Sequence, residues 1–159
     1  METAMPKVRR NFGGDSRKVN MEGGTKPCPF GSHRVLEPKG VLPQPAWKID
    51  NRPDHVFGNE ILVNVEVLNI DSASFTQIKE QAGGDENKIR SIILDTVEKR
   101  GKMHNPVTGS GGMFIGTVEK IGEDLAGKIP LSPGTRIASL VSLSLTPLKI
   151  EEILQVHKN

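Results

Sequence analysis

Residues 106–140 read PVTGSGGMFIGTVEKIGEDLAGKIPLSPGTRIASL, and the fold turns on how glycine and proline punctuate them. A Gly-rich loop leads into a strand over residues 116–122. A short excursion follows, and Pro133-Gly134 sets a turn before a second strand at 135–140. In the first strand Val118, Lys120 and Gly122 face one way and Thr117, Glu119 and Ile121 the other, so neither face is cleanly apolar. The glycines add what the alternation lacks. Gly116 marks backbone that bends or is closely approached, and Gly122 stops the strand.

Upstream, Ile61, Val63, Val65 and Val67 alternate with Leu62, Asn64, Glu66 and Leu68. This is the best strand signal in the chain, and it predicts the odd-numbered face on the core. A short helix is expected at Ser72–Gln81 and a surer one over 85–100. There Asp85 is the cap, Ile89, Ile92, Ile93, Thr96 and Val97 share one face, and Gly101 ends the run. After residues 141–145, Thr146-Pro147 supplies a cap and a first-turn proline, predicting a helix through TPLKIEEILQVH. Residues 25–58 are Pro-rich without helical periodicity, with short extended pieces at 33–37 and 46–50. Residues 1–24 are polar and Gly-punctuated and read as a disordered tail. A transit peptide is the rival reading of that tail, opposed by Asp15, Glu22 and the lack of an amphipathic period.

At 159 residues, one domain is expected, with roughly two-thirds of its unfolded surface buried. The 21 basic and 19 acidic residues leave a formal charge of +2, too balanced to argue for nucleic acid. No apolar run reaches the roughly 18 residues of a membrane-spanning helix, so no membrane partner is expected. The single cysteine, Cys28, rules out an internal disulfide and suits a reducing cytoplasm.

Taken as residues, the chemical signals are modest. Gly109-Ser-Gly-Gly112 invites a phosphate cradle, but its sixth position is Phe114 and a strand follows, so a structural loop is favoured. Asp71, Ser72 and Ser74 follow the main strand and read either as helix-capping residues, the commoner role, or as catalytic groups. His33, His55 and His104 lie on loops, where each could act as a base or ligand and where histidines are usually just solvated. Cys28, between two prolines, has no positive cluster to activate it.

The segment Gly111-Gly-Met-Phe-Ile-Gly116-Thr-Val118-Glu-Lys-Ile121-Gly122, with Pro133-Gly-Thr-Arg-Ile137, resembles the GHExxGxVxxVG and xPGDRV segments of the GroES-like domain of medium-chain dehydrogenases. The strand 61–70 followed by Asp71 looks like that family's strand and zinc-binding Cys. The resemblance implies a mainly β fold, a partly open GroES-like β-barrel with peripheral helices over residues 25–159. It also implies a zinc-less member, since Asp71, Gly112 and Met113 stand at the family's Cys, His and Glu positions. Gly31-Ser-His-Arg-Val-Leu-Glu-Pro-Lys-Gly-Val-Leu-Pro-Gln-Pro-Ala-Trp-Lys-Ile-Asp-Asn51 is similar to the opening of the 3,5-diaminohexanoate dehydrogenase family, a zinc-less branch acting in lysine fermentation.

That resemblance implies oxidative deamination of a diamino acid with NAD or NADP. The cofactor would sit on a Rossmann domain that this sequence does not supply, so the chain by itself is expected to be inactive. The implied chemistry needs a group to accept a proton from the substrate amine. Asp71 is the first candidate, with Ser72 or Ser74 as hydrogen-bonding partners and His33 as a second base. Arg34 or Arg52 would suit the substrate carboxylate. Homo-oligomerisation is left open. Two rivals stand beside this reading: a zinc-less quinone- or enoyl-type reductase domain, and a non-enzymatic barrel that binds a partner chain.

Overall fold

The computed structural model describes residues 27–157; the tail expected at 1–24 lies outside them. Its elements are β1 (Val35–Glu37), β2 (Lys48–Ile49), β3 (Ile61–Ile70), α1 (Ser72–Gln81), α2 (Glu86–Arg100), β4 (Gly112–Ile121) and β5 (Arg136–Ser139). β1 and β2 pair as a small antiparallel ribbon, and β3-β4-β5 form an antiparallel sheet in that order. Helices hold about as much of the described chain as strands. The expected mainly β architecture therefore gives way to a mixed one, and the described strands form no closed barrel.

β3 and β4 run the full length of each other, from Ile61 opposite Ile121 to Ile70 opposite Gly112. Gly116 sits in this ladder where an added Cβ would collide with the Asn64 carbonyl and the Val63 side chain, so close approach of β3 explains the glycine. β4 shows clean alternation, with Phe114, Gly116 and Val118 buried. β3 does not. Val65 pairs with Gly116 and Val67 with Ile115, leaving Glu66 as the extra residue of a bulge. Before the bulge Val63 and Val65 lean on the core; after it Leu68 and Ile70 are buried. The prediction of an odd-numbered core face thus fails beyond Glu66, because one extra residue swaps the two faces.

The two helices form as expected. The Asp71 carboxylate accepts from Ser74 N–H to cap α1, and Asp85 accepts from Lys88 N–H to cap α2. Gly101 closes α2 at φ 72°, and its N–H donates to the Val97 carbonyl. Phe75 and Ile78 of α1 meet Ile89, Ile93 and Val97 of α2 in one core with Leu68, Ile70, Phe114 and Leu143. Leu148, Ile153 and Val156 complete it.

Those last residues overturn the helix expected at 146–157, which runs as irregular backbone. Its polar backbone groups are committed elsewhere. Leu148 N–H donates to the Gly101 carbonyl, Asn51 Nδ2 donates to the Leu148 carbonyl, and Arg90 donates to the Leu154 carbonyl. Tertiary partners outcompete the local cap and proline signal.

Candidate functional site

The residues singled out by sequence gather at opposite ends of β3. Ten residues of strand, about 30 Å of contour, lie between the groups. They do not form one site.

Asp71 begins the first group, immediately after β3, where its N–H donates to the Gly111 carbonyl at 3.2 Å. Its two carboxylate oxygens have different environments. Oδ1 accepts from Ser74 N–H at 3.0 Å, whereas Oδ2 is buried with no hydrogen-bond partner among the described residues. Ser72 lies exposed on the first turn of α1, and Ser74 is fully buried. Ser74 Oγ pairs with Thr108 Oγ1 at 2.7 Å and with Ser110 Oγ at 2.8 Å, and those two hydroxyls pair with each other at 3.0 Å. Three hydroxyls thus close a triangle between α1 and the Gly-rich loop. Asn105 holds that loop in shape. Its Oδ1 accepts from Val107 and Thr108 N–H, while its Nδ2 donates to Gln77 Oε1 and to the Ser74 carbonyl.

The second group surrounds Glu60, just before β3. His33 Nδ1 accepts from Cys28 N–H at 3.0 Å, so its proton resides on Nε2 and is donated to Glu60 Oε1 at 2.8 Å. Arg34 donates from Nε and Nη2 to the two Glu60 oxygens, and its remaining donors reach the carbonyls of Asp50, Arg52 and His55. All five of its N–H groups are engaged. Phe57 packs its ring edge-on to His33 and His55 and beneath the Arg34 guanidinium. Burial works to raise the Glu60 pKa, but hydrogen bonds from Arg34, Phe57 N–H and His33 outweigh it and hold the carboxyl at about 2. Arg52 is largely exposed and pairs with Asp50 at 2.7 Å.

This geometry ranks the candidates. His33 has both ring nitrogens occupied and Arg34 has no donor to spare, so each serves to join the β1 region to the start of β3. Arg52 is exposed, and Asp71 Oδ2 is left without a hydrogen-bond partner among the described residues. A groove of ≈ 370 Å³ lies beside the Glu60 group, lined by residues 61–65, Arg52, His55, Phe114 and Leu148.

Glu60, Asn105, Thr108 and Ser110 went unseen in the sequence. Asn105-Pro106 is a turn-initiating pair that could have flagged the loop, but Glu60 carries no local signal. Arg100 and Lys102 were also missed: beside His104, which the sequence did single out as a loop histidine, they place buried positive groups against the loop 43–47. Lys102 Nζ donates to the Pro43 and Gln44 carbonyls, and Arg100 donates to the Trp47 carbonyl with its guanidinium 4.4 Å over the Trp47 ring. Burial, followed by the nearby Arg100 charge, lowers the Lys102 pKa to about 8.

No three His, Cys, Asp or Glu side chains converge as a metal site among the described residues. Gly109–Gly112 leads into β4 and not into a helix N-terminus, so the loop lacks the cradle that a dinucleotide pyrophosphate needs. No helix is long and apolar enough to cross a membrane among the described residues.

Comparison with known proteins adds the family. Residues 33–159 match the model of the L-erythro-3,5-diaminohexanoate dehydrogenase N-terminal domain. The chain is 65% identical over 131 residues to the L-erythro-3,5-diaminohexanoate dehydrogenase of Acetoanaerobium sticklandii, and 63% identical over 131 residues to that of Fusobacterium nucleatum subsp. nucleatum. Each match covers 82% of this chain and 38% of the relative. The chain therefore belongs to the family of L-erythro-3,5-diaminohexanoate dehydrogenase N-terminal domains.

Proposed function

We propose that this chain is the substrate-side part of an enzyme that oxidatively deaminates L-erythro-3,5-diaminohexanoate to 5-amino-3-oxohexanoate in lysine fermentation. The observation that carries the proposal is the 65% identity over 131 residues to a protein of that name. NAD or NADP belongs to the complete enzyme, on a Rossmann domain within the larger part of the relatives that lies outside the match. Residues 25–159 belong to the GroES-like unit of that enzyme, with the β3-β4-β5 sheet as one wall of its partly open barrel. The unpaired Cys28 thiol suits a cytoplasmic setting.

Within this unit Asp71 holds the reacting amine. Oδ1 is fixed by capping α1, which orients the carboxylate. Oδ2, buried and without a protein partner, is the oxygen that takes a hydrogen bond from the substrate ammonium and then its proton. The Ser74–Thr108–Ser110 triangle holds the surrounding loop in register with the helix start. Arg34 is saturated, and Arg52 stands with it at the opposite end of β3 from Asp71, farther than one six-carbon substrate spans, so neither takes the carboxylate of the substrate that Asp71 holds. The zinc-less reading stands with Asp71, Gly112 and Met113 at the positions where the wider family has ligands.

The test is a chimera in which residues 33–159 replace the matched part of the Acetoanaerobium protein. Oxidation of 3,5-diaminohexanoate dependent on NAD or NADP is the expected result. A chimera that folds and reduces quinones or enoyl substrates, while ignoring the diamino acid, would overturn it.

A further inference from the structure

Asp71 is gripped from two directions. The end of the Gly-rich loop takes its N–H, which donates to the Gly111 carbonyl at 3.2 Å. The first turn of α1 takes its Oδ1, which accepts from Ser74 N–H at 3.0 Å. With Oδ1 fixed, the direction of the buried, unpartnered Oδ2 depends on how those two pieces stand against each other. Asn105 is bonded to both.

Asn105 is 2% exposed, and its amide is fully used. Oδ1 accepts from Val107 N–H at 2.8 Å and from Thr108 N–H at 3.4 Å, shaping the loop as an Asn-Pro pair commonly does. Nδ2 does something that a turn does not need. It leaves the loop and donates to Gln77 Oε1 at 3.0 Å and to the Ser74 carbonyl at 3.4 Å, 28 and 31 residues back on α1. Both acceptor and both donor positions are engaged, so a planar group with no spare capacity spans the joint. Backbone bonds seat it at the base of the loop: Asn105 N–H donates to the Ser110 carbonyl, and Gly109 N–H to the Asn105 carbonyl, each at 2.9 Å. Beside Ser110, Gly111 lies so close to the Met103 carbonyl and the Ser144 nitrogen that no Cβ fits. The carbonyl that holds Asp71 therefore moves only with the loop. The Ser74–Thr108–Ser110 hydroxyls cross the same joint, but each turns about a single bond and Thr108 is exposed. They adapt where the amide does not.

We propose that Asn105 is a positioning residue for the deamination: by bracing the loop against α1 it aims Asp71 Oδ2 at the substrate ammonium. The assignment rests on Asp71 as the acceptor of the amine proton. Asn105 itself touches no substrate and moves no proton, and its effect passes wholly through Asp71. A misplacement of about 1 Å at a reacting group costs up to about a hundredfold in rate.

The experiment is a double-mutant cycle in the chimera carrying residues 33–159, with turnover of 3,5-diaminohexanoate measured on protein shown to be folded. Asn105→Ser keeps an oxygen for the turn but is too short to reach α1. It should lower kcat about tenfold or more, with KM changed less than about twofold. Made in the Asp71→Asn background it should lower kcat no further, because the acceptor it aims is already gone. Its deficit should also shrink as pH rises toward the pKa of the substrate amine, where substrate arrives deprotonated and needs no acceptor. Gln77→Met removes one end of the brace and leaves the turn intact. The same pattern with a smaller loss is expected of it, and it decides the matter if Asn105→Ser does not fold. Losses that multiply with that of Asp71→Asn and stay constant with pH overturn the proposal, making Asn105 a general support of the fold. Unchanged kcat in both brace variants overturns it as well, and leaves Asp71 as the acceptor if Asp71→Asn alone is impaired. Normal turnover in Asp71→Asn overturns the reading of Asp71, and the role of Asn105 with it.

Discussion

Arg34 and Glu60 meet through two parallel hydrogen bonds, Nε to Oε1 at 2.8 Å and Nη2 to Oε2 at 2.5 Å. This fork fastens the 3₁₀ turn Ser32–Arg34 and β1 to the start of β3, across 26 residues of sequence. His33 adds a third contact to the same carboxylate.

Removing that carboxylate leaves a nearly buried guanidinium without its counter-charge and a buried imidazole N–H without its acceptor. Breaking one side of a buried ion pair costs about 3–5 kcal/mol, and Glu60 keeps some solvent access, so the lower end applies. Glu60→Ala should destabilise the fold by about 3 kcal/mol, read from urea unfolding. Glu60→Gln should cost less, since an amide oxygen still accepts one bond. A loss under 0.5 kcal/mol for Glu60→Ala would show the cluster to be decorative.

Acid should act on this protein in two steps. Burial, then the charges of Arg100 and Lys102, lower the His104 pKa from the ordinary 6.5 to about 4. The unfolded chain therefore binds that proton first, and stability falls as pH drops from about 6.5 toward 4. Glu60, held at about 2 against an ordinary 4.5, contributes stability that is full above about 4.5 and lost as pH falls through about 2. Unfolding free energy measured against pH should show both limbs. His104→Gln should flatten the upper one and leave the lower in place.

Alkali gives a separate check. Lys102 has its pKa lowered to about 8 from 10.5 by burial and by Arg100. A base depressed in the folded state binds fewer protons there than when unfolded, so this group favours folding increasingly from about pH 8 to 10.5. Lys102→Met should remove that rise. The same substitution unties the loop carbonyls of Pro43 and Gln44, which lose their charged donor.

How much of this could be read from sequence differs by element. α1, α2 and their caps were legible because Asp71, Asp85 and Gly101 act within a few residues of themselves. β3 was legible in extent, yet its core face was not, since the bulge at Glu66 depends on how β4 pairs with it. The 146–157 segment misled for a related reason: Thr146-Pro147 is a sound local start signal, but Asn51, Arg90 and Gly101 bind its backbone from far away in sequence. At the site, Asp71 and Ser74 stood out by position after the strand. Thr108 and Ser110 reach Ser74 only through folding, and Glu60 gathers His33 and Arg34 by the same long-range route.

Asp71 is where structure and proposed chemistry can be separated most sharply. As a cap alone, it needs only one oxygen, and Asn supplies that nearly as well. Asp71→Asn should then cost about 1 kcal/mol or less. As the group that receives the amine proton it needs its second oxygen and its charge, which Asn lacks. Made in the chimera carrying residues 33–159, Asp71→Asn should lower turnover on 3,5-diaminohexanoate about a hundredfold or more. Stability, measured in the same preparation, should barely move. Ser74→Ala makes the contrast, because it opens the hydroxyl triangle while sparing both Asp71 oxygens. It should cost about 1–2 kcal/mol in stability and much less in turnover than Asp71→Asn. Equal turnover in Asp71→Asn and the parent chimera would return Asp71 to the role of a helix cap, and leave the buried, unpaired Oδ2 to some other donor.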